Sequence, residues 1–249
     1  MGYGRTVLLC AALLPMSVAA ARGAASTPAD TAVPTVLTVT YLEARTAAIG
    51  PARALLQRQV ARERSAAVSR SASAFHVQVL QEIDRPERWE LLEEAGDQGE
   101  LQAIETAAAP VRSQLQRLLV APPDQRRNHE LPHDSRPFHA ALMPDRRGSA
   151  PRHALYALVH LDISATQDQS GVVGAIGQLL QAARAARGNL RAEAWQQDAH
   201  PNHFALIFVW ATRTDHDAFV AGASARRFRD FVAPLLGSPY DERLGRRLR

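Results

Sequence analysis

The sequence predicts an α+β protein made of two ferredoxin-like (split βαβ) repeats packed sheet to sheet within one chain. Three observations carry this expectation. Residues 190–197 alternate apolar and polar positions, residues 198–202 are turn-like, and residues 203–210 form a second extended run, which together read as a β-hairpin. The second strand of that hairpin is apolar on both faces: Phe204, Leu206, Phe208 and Trp210 on one, Ala205, Ile207 and Val209 on the other. Such a strand needs cover on both sides, and one layer of helices covers only one. Finally, the chain repeats itself. At an offset of 115, Leu80-Gln81 matches Trp195-Gln196, Pro86 matches Pro201, and Leu91-Leu92 matches Leu206-Ile207. At 117, Arg112 matches Arg229, Leu118-Leu119 matches Leu235-Leu236, Asp124 matches Asp241 and Arg126 matches Arg243. A second copy of the sheet supplies the missing cover.

The elements follow in order. Residues 1–25 read as a secretory signal, with Arg5, an apolar run over 7–20, and small residues at Ala19-Ala20-Ala21 and Gly23-Ala24-Ala25 for cleavage. The run is short for a membrane span and ends in Arg22-Gly23. Export to the periplasm or the medium is therefore expected, with a retained anchor as the alternative. Cys10, the only cysteine, falls in this segment, so the mature chain would rely on core packing rather than disulfides. Residues 26–34 are a Pro/Ala/Thr leader. The first repeat, 35–131, reads strand (36–42), helix (49–67), strand (75–83), strand (88–93), helix (98–119, with Pro110 inside) and short strand (125–131). Residues 132–152, rich in Pro, Arg and His, form a linker. The second repeat, 153–249, reads strand (155–162), helix (172–183), the hairpin, one further helix and a last strand (240–248).

Composition narrows the partners. Apolar residues make up 46% and charged ones 22%, values of a soluble globular chain. All 29 basic residues are arginine. Loss of Arg5 and Arg22 would leave 27 arginines against 25 acids, too balanced for a nucleic-acid surface, and no arginine cluster alternates with aromatics. A small-molecule partner is expected, with no nucleic acid, and no membrane once the signal is removed. Association beyond the intrachain pairing is left open.

Both halves resemble antibiotic biosynthesis monooxygenase domains of the dimeric α+β-barrel group. In the second half the resemblance rests on Arg184-x-x-x-Gly188-Asn189, Trp195-Gln196-Gln197, Asn202-His203-Phe204, Trp210, Phe228-Arg229 and residues 237–244. In the first it rests on Arg70, Phe75, Val79-Leu80-Gln81-Glu82, Asp84-Arg85-Pro86 and Arg88. The resemblance implies oxygen insertion into an electron-rich aromatic or quinol, usually without flavin or metal, so no cofactor is expected. It also implies a glutamate two residues before the third-strand tryptophan and a histidine about ten residues after it. Here Trp210 is present, but Phe208 stands at the acid position and residues 220–222 at the histidine position, with His216 the nearest imidazole. The first half has Glu93, Ala95 and Ile104-Glu105 at the corresponding places.

Candidate site residues concentrate in the second half. His160 and Asp162 are two apart on one strand and so share a face. A carboxylate beside an imidazole raises its pKa and fits it as a proton acceptor for a phenol or quinol; a solvent-facing polar pair is the plain structural alternative. Trp195 and Trp210 would stack on a planar substrate, or be ordinary core aromatics. Asn202 and His203 would polarise a substrate oxygen, or satisfy turn backbone. Matched positions in the first half, Leu80, Glu87, Arg88, Ala95 and Thr40, offer neither aromatic nor imidazole. His76 and Arg70 are the remaining first-half candidates. His129, His133, Asp134 and His139 cluster in sequence, but Leu131-Pro132 interrupts any helix that would align them, so no metal site is expected. No phosphate loop, serine-nucleophile or Cys/His zinc motif occurs. Three functions fit: a cofactor-independent monooxygenase for an apolar aromatic or quinol, a non-catalytic small-molecule-binding envelope protein with a degenerate barrel, and an envelope scaffold.

Overall fold

The doubly apolar strand lies where two core layers meet. In the computed structural model, β7 (His203–Trp210) turns Phe204, Leu206, Phe208 and Trp210 towards helix α3 (Gln169–Ala185), whose Val172, Ile176 and Leu180 are buried against them. Its other face puts Ala205, Ile207 and Val209 among Leu37, Val39 and Leu92 of the first half. Ile207 is fully buried. Burying a side chain of this size contributes roughly 1.5–3 kcal/mol, which an isolated half would forfeit along this face.

The structure describes residues 36–72, 75–131, 150–151, 153–164 and 169–248. The signal-sequence reading, the leader, and His133, Asp134 and His139 lie outside the described residues. In the first half, β1 (Val36–Glu43), α1 (Ile49–Ser69), β2 (His76–Glu82), β3 (Arg88–Ala95), α2 (Gln98–Gln116) and β4 (Asp124–Glu130) follow one another. The second half runs through β5 (Leu155–Asp162), α3, β6 (Asn189–Gln197), β7, α4 (Arg213–Val220), α5 (Ala223–Val232) and β8 (Asp241–Arg247). Each half forms an antiparallel sheet, β4-β1-β3-β2 and β8-β5-β7-β6, and the two close into one barrel. Closure is made by the last strand of each half against the other half. β8 pairs with β2 (Leu80↔Arg247, Glu82↔Gly245), and β4 with β6 (Asn128↔Gln197, Glu130↔Trp195). A closed barrel leaves no strand edge unpaired, and its helices cover only the outside.

The repeat is visible in single hydrogen bonds. Gln81 Nε2 donates to the Pro86 carbonyl at 2.7 Å, and Gln196 Nε2 to the Pro201 carbonyl at 2.5 Å. Each glutamine leaves its strand and ties down the hairpin loop that the matched proline shapes. The helices differ more. Helix α2 starts from Asp97, whose carboxylate accepts the Glu100 amide at 2.7 Å, and continues through Pro110. Its counterpart is two helices rather than the single one expected. The break falls at Gly222, where a Cβ would lie 2.8 Å from the Phe219 carbonyl oxygen.

A second glycine is fixed by its backbone. Gly188, between α3 and β6, has φ +73°, and a Cβ there would come within 2.3 Å of the Asp215 carboxylate carbon. Asp215 is held in place because Thr212 caps α4 by accepting the Asp215 amide. Gly188→Ala therefore combines left-handed strain with a clash. It is expected to lower stability by about 2–3 kcal/mol, measured by urea denaturation; a loss under about 0.5 kcal/mol would mean that α4 yields freely.

Candidate functional site

Alternation along the strands decides which polar groups enter the barrel. Leu37, Val39 and Tyr41 point inwards from β1, and Tyr156 and Leu158 from β5, with His160 next on the same face. Cross-strand register makes Tyr41 and His160 equivalent: Tyr41 stands opposite Glu90, His160 opposite Ala205, and position 90 matches 205 at the hairpin offset of 115. His160 thus matches Tyr41, not Thr40 as expected. The two side chains meet at one end of the barrel, the Tyr41 hydroxyl hydrogen-bonded to His160 Nε2, with ring centroids 5.0 Å apart and planes at 76°.

Two more repeat partners enclose the pair. The guanidinium carbon of Arg126 lies 5.1 Å from the Tyr41 ring centroid, and that of Arg243 lies 4.6 Å from it. Each arginine is anchored by the aspartate two residues before it: Arg126 Nη2 to Asp124 at 2.7 Å, Arg243 Nε to Asp241 at 2.9 Å. Around the pair, charge is disfavoured. Burial, then the Arg126 and Arg243 charges, push the His160 pKa down to about 3. Burial likewise drives the Tyr41 phenol upwards, against the pull of both arginines. Both members of the pair are neutral at pH 7.

This electrostatics corrects the expectation for His160. Asp162 does not raise its basicity, because Asp162 pairs instead with His203, Oδ1 to Nε2 at 3.0 Å, at the solvent-facing rim. Burial between two guanidiniums wins at His160, so the imidazole is neutral rather than a cation. A cavity of about 170 Å³ opens beside the pair, lined by His160, Asp162, His203, Ala205, Arg126 and Arg243 among others. It draws on both halves, since Val39, Arg126 and Asn128 belong to the first.

The other predicted residues are placed elsewhere. Asn202 Nδ2 donates to the Ile163 carbonyl at 2.6 Å, so its amide serves the strand end. Trp195 points into the barrel and Trp210 towards the helices, on opposite faces of one sheet, so they line no common pocket. Trp210 sits 5.1 Å from the Phe219 ring and 6.2 Å from the His216 ring, where a space of only about 20 Å³ remains. There burial opposes protonation of His216, but Glu242 and Asp217 outweigh it and raise its pKa. His129 pairs with Asp198 across the barrel closure. Among the described residues no group of three or more His, Cys, Asp or Glu is arranged to hold a metal ion.

The corresponding layer of the first half holds Trp89 together with buried charge. Arg112 contacts Glu93, Glu63 (3.1 Å) and Glu105 (3.7 Å), with Glu63 and Glu93 fully buried. Desolvation raises the pKa of both these glutamates, and the Glu63 charge adds to the effect at Glu93.

Residues 159–230, which include His160, Trp210 and His216, match the antibiotic biosynthesis monooxygenase family. The matched stretch runs from β5 into α5 of the second half. The barrel is similar to a provisionally assigned monooxygenase from Fusobacterium nucleatum, with a TM-score of 0.68 and 7% identity, covering 87% of this chain and 94% of that one. A provisionally assigned monooxygenase from Lactobacillus acidophilus (TM-score 0.62, 9% identity, 87% and 95% covered) and an anthrone oxidase-like protein (0.61, 8%, 87% and 92%) share the same architecture. At these identities the likeness is one of fold. No curated protein matches the chain by sequence. At the end of the barrel Tyr41, Arg126 and Arg243 are the residues that sequence reasoning missed. The signal for the arginines was present in the match of Arg126 to Arg243.

Proposed function

We propose that the chain is a cofactor-independent monooxygenase whose substrate, a small electron-rich quinol or phenol, occupies the cavity at the end of the barrel. The observation that carries this reading is the pair of guanidiniums flanking a neutral Tyr41–His160 pair beside that cavity. A phenol bound there ionises more easily, because two fixed positive charges favour its phenolate. The phenolate is the form that gives electrons to oxygen. His203, backed by Asp162 at the rim, takes the phenolic proton, and His160, positioned by Tyr41, meets the ring's polar edge. The balance needs only O2. As the quinol becomes a hydroxyquinone, its ring gains one oxygen atom and the molecule loses two hydrogens. Those hydrogens leave with the other oxygen atom as water. All four electrons come from the quinol.

A second reading, a non-catalytic small-molecule binder, keeps the cavity at the end of the barrel and places no ligand in the layer around Trp210. The aromatic packing there leaves little room for a planar ligand, and the Trp210 indole N–H is buried without a partner among the described residues.

Oxygen uptake by the full chain with a panel of quinols, run under ¹⁸O2, separates the two. Label in a hydroxyquinone product, with at least about tenfold slower uptake in Arg243→Gln, is the expected result. Anaerobic binding of quinols without any aerobic uptake would leave the second reading.

A further inference from the structure

The repeat partners at the end of the barrel agree at the arginines and their aspartates and differ at two matched pairs, Tyr41 with His160 and Glu90 with Ala205. Arg126 and Arg243 match, their aspartates match, and Tyr41 meets His160. Opposite Tyr41 stands Glu90, whereas opposite His160 stands Ala205. Glu90 is inside the barrel, 2% exposed, and its carboxyl interacts with Arg243. No side chain does the same for Arg126 from position 205. The cavity of about 170 Å³ lies where that side chain is missing, with Ala205 and Arg126 both in its wall. Asp124 engages Nε and Nη2 of Arg126 through one oxygen, and a guanidinium has five N–H donors.

We infer that the cavity takes a ligand carboxylate, seated beside Ala205 where the other half holds the Glu90 carboxyl, and paired with Arg126. Solvent access favours the ligand over a built-in acid. Glu90 is sealed in, and burial raises its pKa to about 7. The Ala205 end instead opens past Asp162 and His203, whose side chains are about a third exposed (36% and 30%), so an arriving anion keeps part of its hydration. The inference rests on the small-molecule site proposed above and narrows its substrate class to aromatic rings bearing a carboxylate. A dihydroxybenzoate belongs to that class and a plain hydroquinone does not. Asp162 and Asp241, also in the cavity wall, oppose any anion placed near them, which confines the carboxylate to the Arg126 side.

Calorimetry on the full chain without oxygen tests this with two ligands of similar size, one anionic and one neutral, 2,5-dihydroxybenzoate and 2,5-dihydroxybenzyl alcohol. A charge-assisted bond to a guanidinium predicts about 10- to 100-fold tighter binding of the acid. Arg126→Gln should bring the two within about threefold. Ala205→Glu supplies the missing carboxyl from the protein, and should abolish binding of the acid without lowering the thermal midpoint. Should that variant not fold, Arg126→Gln alone decides. Equal binding of acid and alcohol, binding of neither, or a preference that survives Arg126→Gln overturns the inference. Readmitting oxygen separates it from the oxygenase reading: an acid that binds through Arg126 but consumes no O2 leaves the carboxylate site standing and removes the oxygenation.

Discussion

Arg191→Leu is expected to destabilise the protein by about 3–5 kcal/mol. Arg191 in β6 reaches across the barrel interior to Glu94 of β3 and also holds Glu193 at 2.6 Å. These side chains are nearly sealed from water, at 11%, 4% and 9% exposure. A buried guanidinium between two carboxylates offsets much of their desolvation. Removing it leaves two like charges facing each other in a poor solvent. Attraction to Glu193 and Glu94 outweighs the burial penalty on the arginine and holds its pKa above the usual value, so it is charged at any working pH. Urea denaturation at pH 7 measures the loss. The double variant Arg191→Leu, Glu94→Leu should regain a large part of it, because one stranded carboxylate is gone. A single variant within about 1 kcal/mol of the parent would show that water reaches the triad.

Arg112→Leu is expected to cost a similar 3–5 kcal/mol at pH 8 and distinctly less at pH 5. Arg112 is the only cation contacting both Glu63 and Glu93 among the described ion pairs. Both carboxyls already titrate above the ordinary range in the folded protein, first through burial, with Glu63 adding to the effect at Glu93. With a raised folded pKa, the folded state holds protons that the unfolded chain has released. Stability therefore falls as pH rises from the ordinary carboxylate value towards the raised one. Without Arg112 that fall becomes steeper, since nothing compensates the ionised pair. Denaturation of parent and variant at both pH values checks the sign. A variant equally destabilised at pH 5 and pH 8 would contradict the assignment of the loss to ionised Glu63 and Glu93.

The fold was largely legible because strand faces alternate with period two and every β7 residue took a side. Phe208 and Ile207 announce two separate layers, and the barrel and the α3 layer are those two. The Gln81–Pro86 and Gln196–Pro201 matches became the same hydrogen bond. The site was less legible for a reason of register. Matching His160 to Thr40 rather than Tyr41 is a slip of one residue, and such a slip sends a strand's side chain to the opposite face. The hairpins repeat at 115 and the C-terminal segments at 117, yet Tyr41 and His160 are 119 apart. Likewise Trp195 and Trp210 look like one aromatic platform until the pairing of Trp195 with Ala205 puts the first on the inner face. The basicity of His160 depended on guanidiniums 34 residues before it and 83 after it, beyond the reach of any local pattern.

The meeting of Tyr41 with His160 has a consequence for how such a barrel can be specified. When two identical chains form a C2 barrel, whatever lies on the axis faces its own copy: tyrosine would meet tyrosine, and histidine would meet histidine. A single polypeptide is released from that identity. It can set a phenol against an imidazole, and keep Glu90 in one half where the other has Ala205, because each position is encoded separately. One gene then holds two dissimilar ends in one cavity wall, and their pairing does not weaken on dilution as an assembly of separate subunits would.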